Sequence, residues 1–163
     1  MNLTIRNVRS TDAEAILRIY APYVLESSVS FELELPSIEA MQQRIYDYTQ
    51  KYPWFVACDG ENVIGYAYAS SYRERAAYRF NVETSVYIDT NYQKTGMATR
   101  LYEVLFAELK KMDLRQAYAV ITMPNEKSEQ FHRKFGFESF AIFKDVGFKF
   151  NQWHDVLWMK KNI

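Results

Sequence analysis

A short polar segment between two apolar stretches holds the residues best suited to bind a phosphate group. Residues 93–98, Gln-Lys-Thr-Gly-Met-Ala, follow a strand-like run that ends at Ile88 and precede apolar residues at helical spacing. The first turn of a helix leaves backbone N–H groups unpaired and carries partial positive charge, so it attracts an anion. Gly96 lacks a Cβ and lets the backbone approach such a ligand closely, while Lys94 adds a positive charge.

The residues around Gly96 exclude two common phosphate loops. No Gly-Lys-Ser/Thr follows the glycine, as a Walker loop requires, and the chain has no Gly-x-Gly-x-x-Gly dinucleotide fingerprint. Two interpretations remain: another kind of phosphate loop, or an ordinary strand-to-helix turn whose geometry Gly96 fixes.

A second motif lies in the C-terminal third of the chain. It runs from Asn125 through Ser128, Phe131 and His132 to Phe135, and Gly-Phe follows it. On a helix, Ser128, Phe135 and either Phe131 or His132 share one face. Taken alone, Ser128 suits a helix cap and the two phenylalanines suit core packing.

Charged and aromatic residues come together just before the strand that ends at Ile88. Arg73, Glu74, Arg75 and Tyr78 form this cluster. Guanidinium groups bind carboxylates and similar anions through two parallel hydrogen bonds. The alternative is a solvated run of charge on the surface.

Hydrophobic periodicity and turn residues predict eleven elements that would position these motifs. The predicted order is β-α-α-β-β-β-α-β-α-β-β, a mixed α/β sheet. Thr11 and Glu14 fit a capping box that opens the first helix, and Pro22 can kink or interrupt it. Strands are predicted over 2–8, 53–58, 63–70, 82–88, 117–122, 137–143 and 153–159, and helices over 11–26, 36–51, 97–112 and 127–135.

The composition favours one globular domain, residues 1–163, and excludes several functions. Lys plus Arg and Asp plus Glu both number 20, so nothing indicates a broad nucleic-acid surface. Cys58 is the only cysteine, which excludes an intrachain disulfide and a cysteine-based zinc cage, and no metal is expected. The chain has neither a signal-like N-terminus nor an apolar run of membrane-spanning length, so we expect a cytoplasmic protein without membrane contact.

The two motifs, in this order, resemble those of the GNAT superfamily of N-acetyltransferases. The resemblance implies a single-domain α/β acyl-CoA N-acyltransferase fold, with a mixed, mostly antiparallel sheet flanked by helices. It implies an acyltransferase enzyme with acetyl-CoA as the acetyl donor. The residues that it assigns to acetyl-CoA are Val86, Tyr87, Ile88, Lys94, Thr95, Gly96, Met97, Ala98, Thr99, Asn125, Ser128 and Lys134.

One position departs from the broad family pattern. His132 occupies the place of a tyrosine that is thought to protonate the departing thiolate. Because a free thiol has a pKa of about 8.5, the thiolate needs only modest help. His132 is therefore a candidate catalytic residue, with packing or a hydrogen bond to the cofactor as the alternative.

A narrower resemblance spans nearly the whole chain. Segments within 23–32, 75–87 and 146–156, the last containing Trp-His-Asp-Val, are similar to the phosphinothricin and methionine sulfoximine acetyltransferase group. This similarity implies a small amino acid analogue as the amine substrate and a homodimer. The substrate-binding candidates are Phe31, Arg73, Glu74, Arg75, Tyr78 and Lys149.

The reaction implied is direct transfer of acetyl from a thioester to a primary amine, which must first lose a proton. Glu83, at the start of the central strand, is the candidate general base. Strand alternation predicts that Glu83, Ser85 and Tyr87 share one face. Backbone N–H groups near Val86 are candidates to stabilise charge on the thioester oxygen.

Two other functions remain open at this level. The acceptor could be a peptide N-terminus or a polyamine, although a polyamine would require an acidic pocket and Arg73 and Arg75 argue against one. A non-catalytic acyl-CoA-binding module is a different class, and Glu83 argues against it because binding alone needs no base.

Overall fold

The computed structural model describes residues 2–163, and this part of the chain contains seven strands and four α-helices in the predicted order. None of the helices in this part is long and apolar enough to cross a membrane. The bounds are β1 Leu3–Asn7, α1 Ala13–Leu25, α2 Ile38–Thr49, β2 Trp54–Asp59, β3 Asn62–Ser71, β4 Asn81–Ile88, α3 Met97–Leu109, β5 Gln116–Thr122, α4 Glu126–Lys134, β6 Glu138–Lys149 and β7 Gln152–Asn162.

The strands form one sheet with the order β1-β2-β3-β4-β5-β7-β6. Only the central pair, β4 and β5, is parallel, and it pairs solely at residues 81–83 with residues 116–118. Beyond that pairing β5 stays with β7 as far as Thr122, while β4 stays with β3 as far as Ile88. The two central strands therefore part and leave a wedge between them.

Each face of the sheet carries its own core. On one face α3 buries Leu101 and Leu105 against the sheet, and on the other α1 buries Ile16 near Trp54 and Tyr66. The β4 register with β3 is continuous, with Ser70, Tyr68 and Tyr66 opposite the odd-numbered β4 residues. The predicted alternation of Glu83, Ser85 and Tyr87 onto one face is confirmed, because the register has no bulge. That face carries α1, since Tyr66, opposite Tyr87, belongs to the α1 core.

The predicted capping box at Thr11 is wrong. A 3₁₀ turn over Ser10–Asp12 precedes α1, and no side chain caps the helix that follows it. The Asp12 carboxylate instead accepts the Arg9 backbone N–H at 2.7 Å and the Arg6 guanidinium at 2.8 Å. The nearby arginine on β1 makes Asp12 the better anchor for this turn, and the local sequence does not show that proximity.

The β6–β7 hairpin is longer than predicted. β6 continues past Phe143 to Lys149, with register shifts before and after the segment Ala141–Phe143. The chain reverses at Phe150 and Asn151, which have φ of 52° and 57°. Asn151 readily adopts positive φ, but Phe150 does not, so the pair lacks the Asn-Gly or Asp-Gly signature of a two-residue hairpin turn, while Gly147 remains within the strand.

Candidate active site

The N-terminus of α3 presents unpaired N–H groups to a cavity of about 420 Å³. Gly96 is the N-cap residue with φ of 76°, so no side chain caps the N–H groups of Met97, Ala98 and Thr99. A Cβ built at Gly96 would meet nothing within 4 Å, so the glycine is needed for its backbone angle. The first turn of α3 therefore presents an anion-binding site to this cavity.

The cavity runs from the α3 N-terminus along β4 to the start of α4. Eleven of the twelve residues that the sequence assigned to the cofactor line it, since every one of them except Lys134 is part of its wall. Lys134 is the exposed last residue of α4 and lies outside the cavity. Asn125 caps α4 by accepting the Ser128 N–H at 3.2 Å, which fixes that corner of the wall.

The wedge between β4 and β5 continues from this cavity and has a volume of about 60 Å³. The Asp89 N–H donates to the Ile64 carbonyl of β3 at 2.9 Å. Because N–H groups alternate in direction along a strand, those of Val86 and Ile88 point away from β3 and into the wedge. The Tyr23 hydroxyl donates a hydrogen bond to the Ile88 carbonyl at 2.8 Å. The Val86 N–H faces the wedge.

His132 forms part of the wall of both the cavity and the wedge. Its Nδ1 lies 2.8 Å from the Ser128 carbonyl oxygen, which can only accept, so Nδ1 carries the proton. Nε2 then accepts the Tyr102 hydroxyl at 3.0 Å. Burial lowers the pKa of His132 and outweighs the Ser128 hydrogen bond, which raises it. The ring is therefore neutral at pH 7 and engaged at both nitrogens.

Glu83 lies at the last paired position before β4 and β5 part, opposite Ser70 on one side and Tyr118 on the other. Its side chain is partly buried, and burial raises the pKa of the carboxyl, while the charge of Arg73 acts in the opposite direction. Within residues 2–163 the carboxylate has no hydrogen-bond or ion-pair partner. The Glu83 carboxylate is therefore a base that breaks no existing hydrogen bond or ion pair when it accepts a proton.

A second cavity, of about 530 Å³, lies beside the C-terminal end of α2. The four clustered residues predicted to bind substrate, Arg73, Glu74, Arg75 and Tyr78, all line it. The Arg73 guanidinium lies 5.2 Å from the centre of the Tyr72 ring, which holds it on an aromatic surface. This cavity shares no lining residue with the cavity at α3, and Glu83 lines neither of them.

The other two substrate candidates lie elsewhere. Phe31 is 39% exposed, on the loop between α1 and α2, and its ring lies against Gly147 of β6. Lys149 is buried at 4% exposure, and its Nζ donates to the carbonyls of Val24 and Ser30. The structure therefore places Lys149 beneath the α1–α2 loop and outside both cavities.

Several wall residues were not identified from the sequence. Tyr23, Val29 and Phe131 line the cavity at α3, and Tyr102 lines the wedge. Tyr23 lies in the segment 23–32 that resembles the acetyltransferase group, and this resemblance was the signal that could have identified it. Tyr102 gave no such signal because its position next to Leu101 fits the apolar face of α3.

Comparison with known proteins agrees with this geometry. Residues 5–158 match the model of the acetyltransferase (GNAT) domain. Phosphinothricin N-acetyltransferase of Streptomyces coelicolor is 34% identical over 156 residues, which cover 93% of this chain and 91% of the relative. L-methionine sulfoximine/L-methionine sulfone acetyltransferase of Pseudomonas aeruginosa is 31% identical over 166 residues, which cover 100% of this chain and 96% of the relative.

A solved structure shares the architecture. It is that of a GNAT superfamily phosphinothricin acetyltransferase from Sinorhizobium meliloti in complex with acetyl-CoA. Its TM-score is 0.94 at 36% identity, and the match covers 100% of this chain and 89% of that chain. The domain match, the aligned relatives and the parted central strands agree, and the chain belongs to the GNAT family of N-acetyltransferases.

Proposed function

We propose that this enzyme acetylates the amino group of a small α-amino acid analogue of the phosphinothricin, methionine sulfoximine or methionine sulfone type. Acetyl-CoA is the acetyl donor. The sequence identity to relatives with those names supports the acceptor class. Acetylation blocks the amino group of a toxic analogue, so the enzyme would confer resistance to it.

The cavity at α3 suits the donor. The uncapped N–H groups of Met97, Ala98 and Thr99 would hold the pyrophosphate, and Lys94 would add charge. The wall near Asn125 and Ser128 would flank the pantetheine arm as it enters the wedge. The arm supplies a thioester whose carbonyl accepts the amine.

Glu83 is the proposed general base. The acceptor enters as an ammonium ion, and its proton passes to the Glu83 carboxylate, directly or through one water. The neutral amine nitrogen then bonds to the thioester carbonyl carbon. The carbon–sulfur bond breaks, and the nitrogen loses a second proton, which passes to the departing thiolate. The Val86 N–H, which faces the wedge, would stabilise the charge that develops on the carbonyl oxygen.

His132 has a limited role in this proposal. Its neutral ring donates through Nδ1 to Ser128 and accepts at Nε2 from Tyr102. Protonation of the thiolate by His132 would have to break one of these bonds. We therefore assign His132 to the wall that receives the sulfur. The thiolate takes the second proton of the amine nitrogen, and Glu83 returns the first proton to solvent.

The acceptor's anionic end would face Arg73 and Arg75, with Glu74 and Tyr78 in the same wall. Phe31 lies outside this cavity, against Gly147. The observation that carries the proposal is the partly buried Glu83 carboxylate, which has no bonded partner within residues 2–163 and has Arg73 nearby. One zwitterion presents an ammonium for the base and an anion for the guanidinium.

The test is a thiol-release assay with acetyl-CoA and a panel of amines. The panel contains methionine sulfoximine, methionine sulfone, phosphinothricin, a polyamine, a short peptide and a simple alkylamine. We expect kcat/KM for the three analogues to exceed that of every other amine by at least about tenfold, because one charge-assisted contact contributes about 2 kcal/mol. A peptide or polyamine preferred by that margin would refute the acceptor assignment and leave the acetyltransferase intact.

We also propose that two copies associate and that the enzyme works in the cytoplasm. β6 is an edge strand of twelve residues, and Phe140, Ile142 and Phe148 are each about half exposed along it. A long apolar edge requires a cover, and a second copy supplies one. The buried free thiol of Cys58 suits a reducing compartment.

A further inference from the structure

The α1–α2 loop, residues 26–37, is attached to the β6–β7 hairpin by a buried ammonium group. Lys149 Nζ donates to the Val24 carbonyl at 2.5 Å and to the Ser30 carbonyl at 2.7 Å. These partners lie more than a hundred residues away in the chain. A lysine has three donors, and two of them are consumed here by backbone oxygens.

The same loop is held from its other side by α1 and α2. The Tyr20 hydroxyl lies 2.6 Å from Ser30 Oγ and donates to the Glu32 carboxylate. Arg44 of α2 donates to Glu32 at 2.6 Å and 3.1 Å, a two-pronged pair. The backbone between Ser30 and Glu32 is therefore fixed between two charged contacts.

Gly147 provides the space that Phe31 occupies. A Cβ built on Gly147 would lie 2.2 Å, 2.3 Å and 2.9 Å from three atoms of the Phe31 ring. The backbone of Gly147 is not in the left-handed region, so the requirement is space and not conformation. The Phe31 ring also lies 6.1 Å from the ring of His154, whose Nε2 bonds to the Lys149 carbonyl at 3.0 Å.

The loop so held forms part of the wall around the reaction centre. Val29 lines both the cavity at α3 and the wedge. The position of the loop therefore sets where Val29 stands in the wall of the wedge, where the amine would meet the thioester.

We propose that Lys149 and Gly147 are positioning residues that hold the α1–α2 loop against the β6–β7 hairpin and thereby fix Val29 in the wall where the amine would meet the thioester. This inference rests on the proposed function. It assigns the Lys149 ammonium to two backbone carbonyls in place of an anionic group of the acceptor. Gly147 acts with it, because the absence of a Cβ lets the far end of the Phe31 ring pack against β6.

The first test compares Lys149→Met with Lys144→Met. Lys144 is an exposed lysine on the same strand whose Nζ pairs with Asp155, so it controls for loss of charge and for the methionine. We expect Lys149→Met to raise hydrogen exchange of the amides in residues 26–37 by at least about tenfold, because their tie to the hairpin is lost. The control should leave exchange in that segment unchanged.

Activity separates positioning from direct contact. If Lys149 positions the loop, Lys149→Met lowers kcat/KM by the same factor for a carboxylate-bearing analogue and for an alkylamine without an anion. A loss confined to the carboxylate-bearing acceptor, with unchanged exchange, would overturn the proposal and make Lys149 a substrate ligand. The exchange result does not need a correct acceptor, so failure of the proposed function would be recognised separately.

A second pair of variants tests the glycine. Gly147→Ala should increase exchange in the same residues, because the new Cβ displaces the Phe31 ring. Adding Phe31→Ala to Gly147→Ala removes the clash, so exchange should return to the level of Phe31→Ala alone. The proposal fails if Gly147→Ala leaves both exchange and acceptor preference at wild-type values.

Discussion

At the scale of single residues, Glu83 is distinguished by what surrounds it. The other acidic side chains in the described chain that are at least partly buried are bound, as Asp12 is by Arg6 and Glu32 is by Arg44. Glu83 has no such partner in the described chain, and burial raises the pKa of its carboxyl. A partly buried carboxylate without a partner does not stabilise the fold. Its raised pKa suits a group that accepts a proton in catalysis.

Replacement of the carboxylate tests that role. We expect Glu83→Gln to lower kcat/KM near pH 7 by at least about a hundredfold and to leave acetyl-CoA affinity unchanged. The deficit should shrink at high pH, where the free amine is abundant. Glu103→Gln, an exposed change on α3, is the matched control. Wild-type turnover in Glu83→Gln would place the base elsewhere.

The pH profile gives a signed prediction. Since burial raises the pKa of Glu83, kcat/KM should fall as pH decreases through a value above the ordinary carboxyl pKa. The charge of Arg73 opposes that increase. Arg73→Gln should therefore move the fall in kcat/KM at low pH, the acidic limb of the profile, to higher pH. Arg79→Gln, in the same segment between β3 and β4, should not move it. An acidic limb that stays in place in Arg73→Gln would show that Glu83 does not control it.

At the scale of elements, a substitution at Gly96 tests whether the α3 N-terminus binds the pyrophosphate of acetyl-CoA. Gly96→Glu should weaken acetyl-CoA binding at least about tenfold by calorimetry, because it places a negative charge where the N–H groups would meet phosphate. Gly60→Glu is the control, since Gly60 also has positive φ and an open Cβ position, in a turn away from the cavity. Equal affinity in the two folded variants would remove the pyrophosphate assignment.

The order of elements was predictable because each of them carries its own periodicity. The exceptions depend on distant residues. Asp12 anchors the turn before α1 through Arg6 of β1, so Thr11 has no capping role. Gly147 lies inside β6 because Phe31 needs the space, and the chain turns instead at Phe150. Both facts belong to the folded chain and have no local signature.

At the scale of the whole molecule, the proposed dimer would form at the β6 edge. We expect sedimentation to report twice the mass of one chain and Ile142→Asp to reduce it to a single mass, because a carboxylate would be buried against the second copy. Tyr46→Asp, an isolated exposed aromatic on α2, should leave the mass unchanged. A single mass for the wild type would refute the dimer.

The wall of the cavity at α3 was predictable from sequence, whereas the residues predicted for the acceptor lie in more than one place. Residues 86–88 and 94–99 are two short runs close together in the chain. The strand-loop-helix order that contains them is visible as a sequence pattern. Arg73, Arg75 and Tyr78 lie beside the end of α2, while Phe31 lies against Gly147, and both placements depend on tertiary packing. Lys149 was predicted by resemblance alone, and the fold places its charge under the α1–α2 loop.

The uncapped first turn of α3 has a consequence for how the enzyme can change over generations. Its proposed contacts to the donor come from the main chain, which most side-chain substitutions leave in place, whereas the proposed contacts to the amine come from side chains. Selection for a new amine can therefore act on residues 31, 73, 75 and 78 without loss of the donor. Lineages that diverge in substrate should accumulate their differences there and keep the backbone of residues 94–99.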